Sequence, residues 1–148
     1  MDTHERNEVR RWVQDAITLY KKAGKETLLK ELADPGGRFV LNESYIFALN
    51  IDGTMVAHPT EPQLTGKNLM DLRDSEGNAF IRKIIDTAKN TGYGYLDYKW
   101  RRPESDDEVQ KTVFFELVDD IILCSGLYIY KESFLDSITN YYRFYGWH

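Results

Sequence analysis

Residues 45–67 read YIFALNIDGTMVAHPTEPQLTGK, and the reading of this stretch decides the fold. Tyr45 to Ile51 is an apolar, β-prone run that stops at Asp52-Gly53, a dipeptide favoured in tight hairpin turns. A second short strand, Thr54 to Ala57, ends at His58-Pro59, and a proline-containing loop then runs to Gly66-Lys67. The pattern is a hairpin whose second strand delivers a histidine to the mouth of a sheet, with a loop returning across that mouth. Convergent polar groups beside an apolar wall suit a small ligand.

Downstream of the hairpin, Asp74-Ser75 offers N-cap chemistry for a helix from about Glu76 to Asn90, with Phe80, Ile81, Ile84, Ile85 and Ala88 on its buried face. Three strands are predicted next, Tyr93 to Arg101, Gln110 to Val118 and Ile121 to Tyr130, the last two joined at Asp119-Asp120. A closing helix is predicted from about Lys131 to Tyr145, with Phe134, Leu135, Ile138, Tyr141, Tyr142 and Tyr145 as its apolar side. Upstream, Val9, Trp12, Val13, Ala16, Ile17 and Tyr20 recur at helical spacing. A shorter helix from Glu26 to Ala33 is broken by Asp34-Pro35-Gly36-Gly37. Strands gathered into hairpins and helices in separate blocks give an α+β fold with a largely antiparallel, five-stranded sheet. Helix 1 is expected to pack alongside that sheet, and the whole chain to form one domain.

The ordered motifs resemble the Cache domains, PAS-like sensor modules of bacterial and archaeal receptors, in their single-module, type-2 form. The resemblance rests on Tyr45 and Phe47, Asp52-Gly53, His58-Pro59, Leu64-Thr65-Gly66-Lys67 and Asp74-Ser75-Glu76-Gly77. It continues through Gly92-Tyr93-Gly94-Tyr95-Leu96-Asp97-Tyr98-Lys99-Trp100, Pro103, Lys111 and Ser125-Gly126. What it implies is a sensory domain binding a short organic acid of the acetate, propionate, lactate or pyruvate class, and signalling by conformational shift. The implied pocket residues are Tyr45, Phe47, His58, Tyr98, Trp100 and Lys111, with Lys111 and a protonated His58 as partners for a carboxylate. Lys67 is expected to face solvent. Two departures are expected at the pocket's far wall. Phe114 stands where the family often has tyrosine, and Ile121-Ile122-Leu123-Cys124 replaces Trp-x-x-Gly. A ligand-free scaffold or dimerisation module of the same fold is the alternative, with a homodimer through helix 1 or the C-terminal helix.

Composition bounds other classes. A net charge of −5 over 148 residues, with both signs interspersed, recommends no nucleic-acid partner. The single Cys124 excludes an internal disulfide. Three histidines and no cysteine pair give no zinc site of ordinary spacing, and neither a metal nor a cofactor is expected. Asn50-Ile51-Asp52-Gly53-Thr54 is a remote match to a phosphatase signature, but asparagine holds the nucleophile's place, so no enzyme is expected. Asp71 to Asn78 faintly resembles a calcium loop without its closing glutamate. No run approaches the ~20 apolar residues of a membrane span. A self-standing cytoplasmic protein is the leading expectation, with an extracytoplasmic domain excised from a receptor as the other.

Overall fold

The computed structural model describes residues 3–129. The predicted closing helix and Tyr130 lie outside the described residues. Two helices, α1 (Thr3–Ala23) and α2 (Lys25–Ala33), precede the strands β1 (Val40–Leu41), β2 (Ser44–Asn50) and β3 (Met55–Ala57). A single 3-10 turn at Pro62–Leu64 sits in the following loop, and α3 (Phe80–Thr91) leads into β4 (Tyr93–Arg101), β5 (Glu108–Val118) and β6 (Ile121–Ile129). The sheet runs β1-β2-β6-β5-β4, with β3 also pairing with β2, and every pairing is antiparallel. The five predicted strands are all present. The sixth, β1, is a two-residue addition whose partners are Tyr45 and Ser44. It is too short to leave a period-2 signature in the sequence.

Both faces of the sheet are covered, and strand parity sorts the core. From β2, Ile46 and Ala48 face α1 and α2 together with Phe114, Ile121 and Leu123. Tyr45, Phe47 and Leu49 face α3 and the long loop, with Tyr98, Trp100, Phe115, Cys124 and Tyr128. Helix α1 therefore spends its apolar stripe inside the chain: Val9, Val13, Ala16 and Ile17 are all buried against the sheet. Its far end is pinned to the β5–β6 turn, where the Tyr20 hydroxyl donates to Asp119 at 2.5 Å and Lys25 pairs with Asp120 at 3.0 Å.

One helix boundary differs from its prediction. Asp74 does not cap α3, which begins only at Phe80. Gly77, at φ +83°, turns the chain back on itself, and both Asp74 oxygens are taken up by that turn. They accept from the backbone amides of Glu76 (3.0 Å), Asn78 (2.8 Å) and Lys99 (3.1 Å), which fixes the loop to strand β4. The Asp52 side chain likewise makes a local turn, accepting the Thr54 amide at 2.9 Å.

Gly126 is a close-approach glycine. A Cβ there would stand 2.7 Å from Val113 Cγ1, 2.8 Å from Lys111 Cε and 2.8 Å from the Thr112 carbonyl. The missing side chain on β6 is what lets the Lys111 stem cross the face of the sheet. Gly126→Ala is expected to destabilise the fold by about 1–3 kcal/mol, the cost of overpacking. Urea unfolding of the two proteins measures it.

Candidate ligand-binding site

Four elements and one loop close on a small cavity between the sheet and α3. Its lining is Tyr45 and Phe47 from β2, Met55 from β3, His58, Leu64, Leu69 and Leu72 from the loop, Phe80 and Ile81 from α3, and Tyr98 and Trp100 from β4. The cavity measures about 10 Å³, room for no more than a single water. Phe80 stacks on Tyr98 at 4.2 Å between centroids and meets Trp100 edge-on at 5.4 Å.

Lys111 supplies the charge. It is 1% exposed, and its Nζ lies 4.1 Å from the centroid of Tyr45 and 5.2 Å from those of Phe47 and Tyr128. Such a cluster of ring faces attracts a cation electrostatically. Nζ donates to the Tyr45 hydroxyl at 3.0 Å. No carboxylate among the described residues forms an ion pair with it. Beyond Tyr45 the hydrogen bonds run in one direction. The Tyr128 hydroxyl donates to the Arg101 carbonyl at 2.5 Å, so Tyr45 donates to Tyr128 across 3.3 Å.

Burial sets the protonation of this group. It pulls the Lys111 pKa down from 10.5 to about 7, against a smaller upward pull from Glu61 and Cys124. Below about pH 7 the native state carries a buried ammonium and its full cost. Between about 7 and 10.5 the unfolded chain keeps a proton that the native state has shed, so this contribution to stability rises with pH across that window. Burial likewise raises the Tyr45, Tyr98, Tyr128 and Cys124 groups, so the phenols stay protonated donors.

His58 behaves differently from the sequence expectation. It is 3% exposed and stacked on Phe47 at 5.6 Å. Its Nδ1 accepts the backbone amides of Thr60 (3.3 Å) and Glu61 (3.0 Å), which makes Nε2 the protonated nitrogen. Burial and then the charges of Lys111 and Arg101 hold its pKa down near 3. The cation expected from His58 is thus absent at neutral pH, first because burial penalises the charged ring and then because Lys111 and Arg101 lie near it. His58 instead ties the start of the loop to the aromatic wall. As pH falls from 6.5 towards 3 the unfolded histidine takes up a proton that the native one refuses, and stability is lost.

All six sequence-predicted residues converge here: five line the cavity, and Lys111 sits against three of their rings. Lys67 is exposed, as expected. Of the two departures expected at the far wall, Phe114 and Ile121 lie away from the pocket, whereas Ile122 and Cys124 share its side of the sheet. Phe114 and Ile121 both belong to the core under α1, since Phe114 lies an odd number of residues from Lys111 on the same strand. The sequence reading missed Tyr128 and the Glu61–Arg101 pair. Tyr128 was recoverable: a turn at Asp119-Asp120 sets Val118 opposite Ile121, and counting back puts Lys111 opposite Tyr128.

The Cache-domain family profile matches residues 7–143. This chain belongs to the Cache-domain family. Among characterised relatives, this Cache domain is 30% identical over 122 residues to the sensor histidine kinase MctS of Rhizobium johnstonii, covering 78% of this chain and 26% of that protein. It is 27% identical over 90 residues to the methyl-accepting chemotaxis protein McpP of Pseudomonas putida, covering 60% of this chain and 16% of that protein. The chain thus spans only about a quarter and a sixth of those relatives' lengths. Solved structures agree on the fold. A methyl-accepting chemotaxis protein from Vibrio parahaemolyticus superposes with a TM-score of 0.74 at 28% identity, over 84% of this chain and 88% of that one. A Cache chemosensory domain described for carboxylic acid recognition gives 0.68 at 26% identity, with the same coverage of both chains. No helix among the described residues is long and apolar enough to cross a membrane.

A buried ammonium held by one hydroxyl and four rings is a poor use of a core position in this Cache domain for stability alone. Lys111→Met is therefore expected to stabilise the fold by about 1–3 kcal/mol at pH 6, the scale of an incompletely satisfied buried polar group. The gain should shrink as pH rises through the window from about 7 to 10.5. Denaturant unfolding at pH 6 and pH 9 measures both, and a Lys111→Met protein that is less stable at both would assign the lysine a structural role.

Proposed function

We propose that this domain is the ligand-binding sensory module of a receptor, and that it takes a short organic acid whose carboxylate pairs with Lys111. The observation that carries the reading is the buried Lys111 ammonium, which has no carboxylate partner among the described residues and a ring of donors beside it. A carboxylate brought into such surroundings must be met by a charge or it costs far too much to bury. Tyr98 and, through its Nε2 proton, His58 are the donors, Tyr45 joins them only by turning its one proton from Tyr128 to the ligand, and Phe47 and Trp100 are the apolar walls. The carboxylic-acid specificity described for a structural neighbour supports the ligand class. The domain acts by binding and not by catalysis in this reading.

Volume dictates the conformational step. With about 10 Å³ of free space, even a two-carbon acid must displace the loop that carries His58, Leu64, Leu69 and Leu72, or the side chains it covers. Binding therefore selects a more open arrangement of loop and sheet and shifts the population towards it. The Lys111–Tyr45–Tyr128 chain carries that shift to the end of β6.

Carboxylate binding favours the protonated lysine, so affinity is expected to be flat just below pH 7. Above it, affinity should fall by up to about tenfold per pH unit as the free protein loses that proton. Lys111→Ala should weaken binding by roughly 1.5–3 kcal/mol, the range for a hydrogen bond to a charged group. Calorimetry with acetate, propanoate and pyruvate across this pH range tests both. Binding that is unchanged in Lys111→Ala, or that strengthens with rising pH, would overturn the reading.

A further inference from the structure

Arg101 ties together three parts of the structure around the cavity. Its guanidinium lies over the ring of Trp100, a wall of the cavity, at 4.8 Å from the centroid. Its backbone carbonyl accepts the Tyr128 hydroxyl at 2.5 Å. On the loop, Glu61 Oε1 accepts from both Nε at 3.0 Å and Nη2 at 2.8 Å. Glu61 is in turn fixed inwards, since its backbone amide donates to His58 Nδ1 at 3.0 Å and His58 lines the cavity. The loop and the end of β4 each have two sides here. His58, Leu64 and Trp100 face the small cavity, whereas Thr60, Glu61, Gln63 and Arg101 line an open groove of about 550 Å³. One stretch of loop and one strand end thus separate groove from cavity, and the ion pair fastens the first to the second.

We propose that the Glu61–Arg101 pair is the latch of the pocket: closed, it holds the loop against the end of β4, and parted, it opens the cavity to the groove, which is the ligand's way in. This rests on the reading that a short acid binds beside Lys111. The latch is built to part. The Arg101 side chain is 40% exposed, so its charge passes to water without crossing the interior. The closed form also leaves Glu61 Oε2 buried with no hydrogen-bond partner among the described residues, a cost that opening relieves. Because the closed cavity is too small for even a two-carbon acid, apparent affinity is reduced by the fraction of molecules in which the latch is shut. The sign of a mutation therefore marks a latch. Removing either partner tightens binding, whereas removing a residue that touches the acid weakens it.

Calorimetry of the whole chain with propanoate tests this. Glu61→Gln and Arg101→Gln are each expected to bind it roughly three- to tenfold more tightly than the unaltered protein, the scale of a half-exposed ion pair. The two substitutions change the local charge in opposite directions, so attraction of the anion at a distance does not account for a gain in both. The double variant should gain no more than either single, because the same contact is already lost. Hydrogen exchange reads the latch without a ligand. The amides of Thr60 and Glu61, both held by His58 Nδ1, should exchange faster by a similar factor in each variant, with those of β5 unchanged. If Arg101→Gln does not fold, Glu61→Gln and its exchange decide alone. Weaker or unchanged binding in either single, additive gains in the double, or unchanged exchange at Thr60 and Glu61 overturns the latch and leaves the carboxylate reading standing. Failure of propanoate to bind any of the proteins overturns the carboxylate reading itself, and this inference with it.

Discussion

A lysine ammonium held in a dry, aromatic interior is the constraint to which the rest of the structure answers. Lys111 is surrounded by Tyr45, Phe47, Tyr98 and Tyr128, and among the described residues its ammonium donates to Tyr45 alone. Four strands must be in register for this to happen. Tyr98 and Tyr128 sit opposite Lys111 on its two flanks, and Tyr45 comes from one strand further across. Gly126 supplies the space through which the stem passes. The sheet is thus a jig for one charge, and the hydrophobic face around that charge is what keeps it incompletely solvated. In the proposed reading this arrangement is readiness for a ligand more than a contribution to folding.

How far the amino-acid sequence reveals this depends on distance along the chain. Strands and helices were legible because period and punctuation are local: an unbroken apolar run through Tyr45–Leu49, a glycine at the end of α3, and helical spacing from Val9 to Tyr20. Six candidate residues were named through the family's ordered motifs, and the strands together with the loop that carries His58 bring all six to one place. What failed were statements needing parity or competition in space. Phe114 and Ile121 were assigned to the wrong face because the motif was read without following the alternation from Lys111. His58 was expected to be charged because nothing in a linear reading shows that it is buried, with a lysine and an arginine near it. The helix start at Glu76 failed for a related reason: Asp74 was given a cap's duty, whereas the amide of Lys99, distant in sequence, competes for its carboxylate.

The two halves of the molecule are joined by the same hydrogen-bonded residues. Tyr128 touches the pocket through Tyr45 and lies one residue from the end of β6. The tip of the β5–β6 hairpin is gripped from the opposite face by α1 and α2 through Tyr20 and Lys25. A displacement of β6 that begins at the pocket has a rigid path to the N-terminal helix, since both ends of that strand are tied.

The free edge of β2 has a further consequence. It is shared between β1 at its start and β3 at its end, while at the opposite border of the sheet the Lys99 amide is already given to Asp74. Among the described residues the β2 margin therefore presents no open ladder of backbone groups, so a neighbouring chain gains little by adding a strand there. Assembly at that margin is steered towards contacts between helix surfaces. Helices slide and tilt against one another at small cost, whereas a continuous intermolecular sheet would lock two copies together.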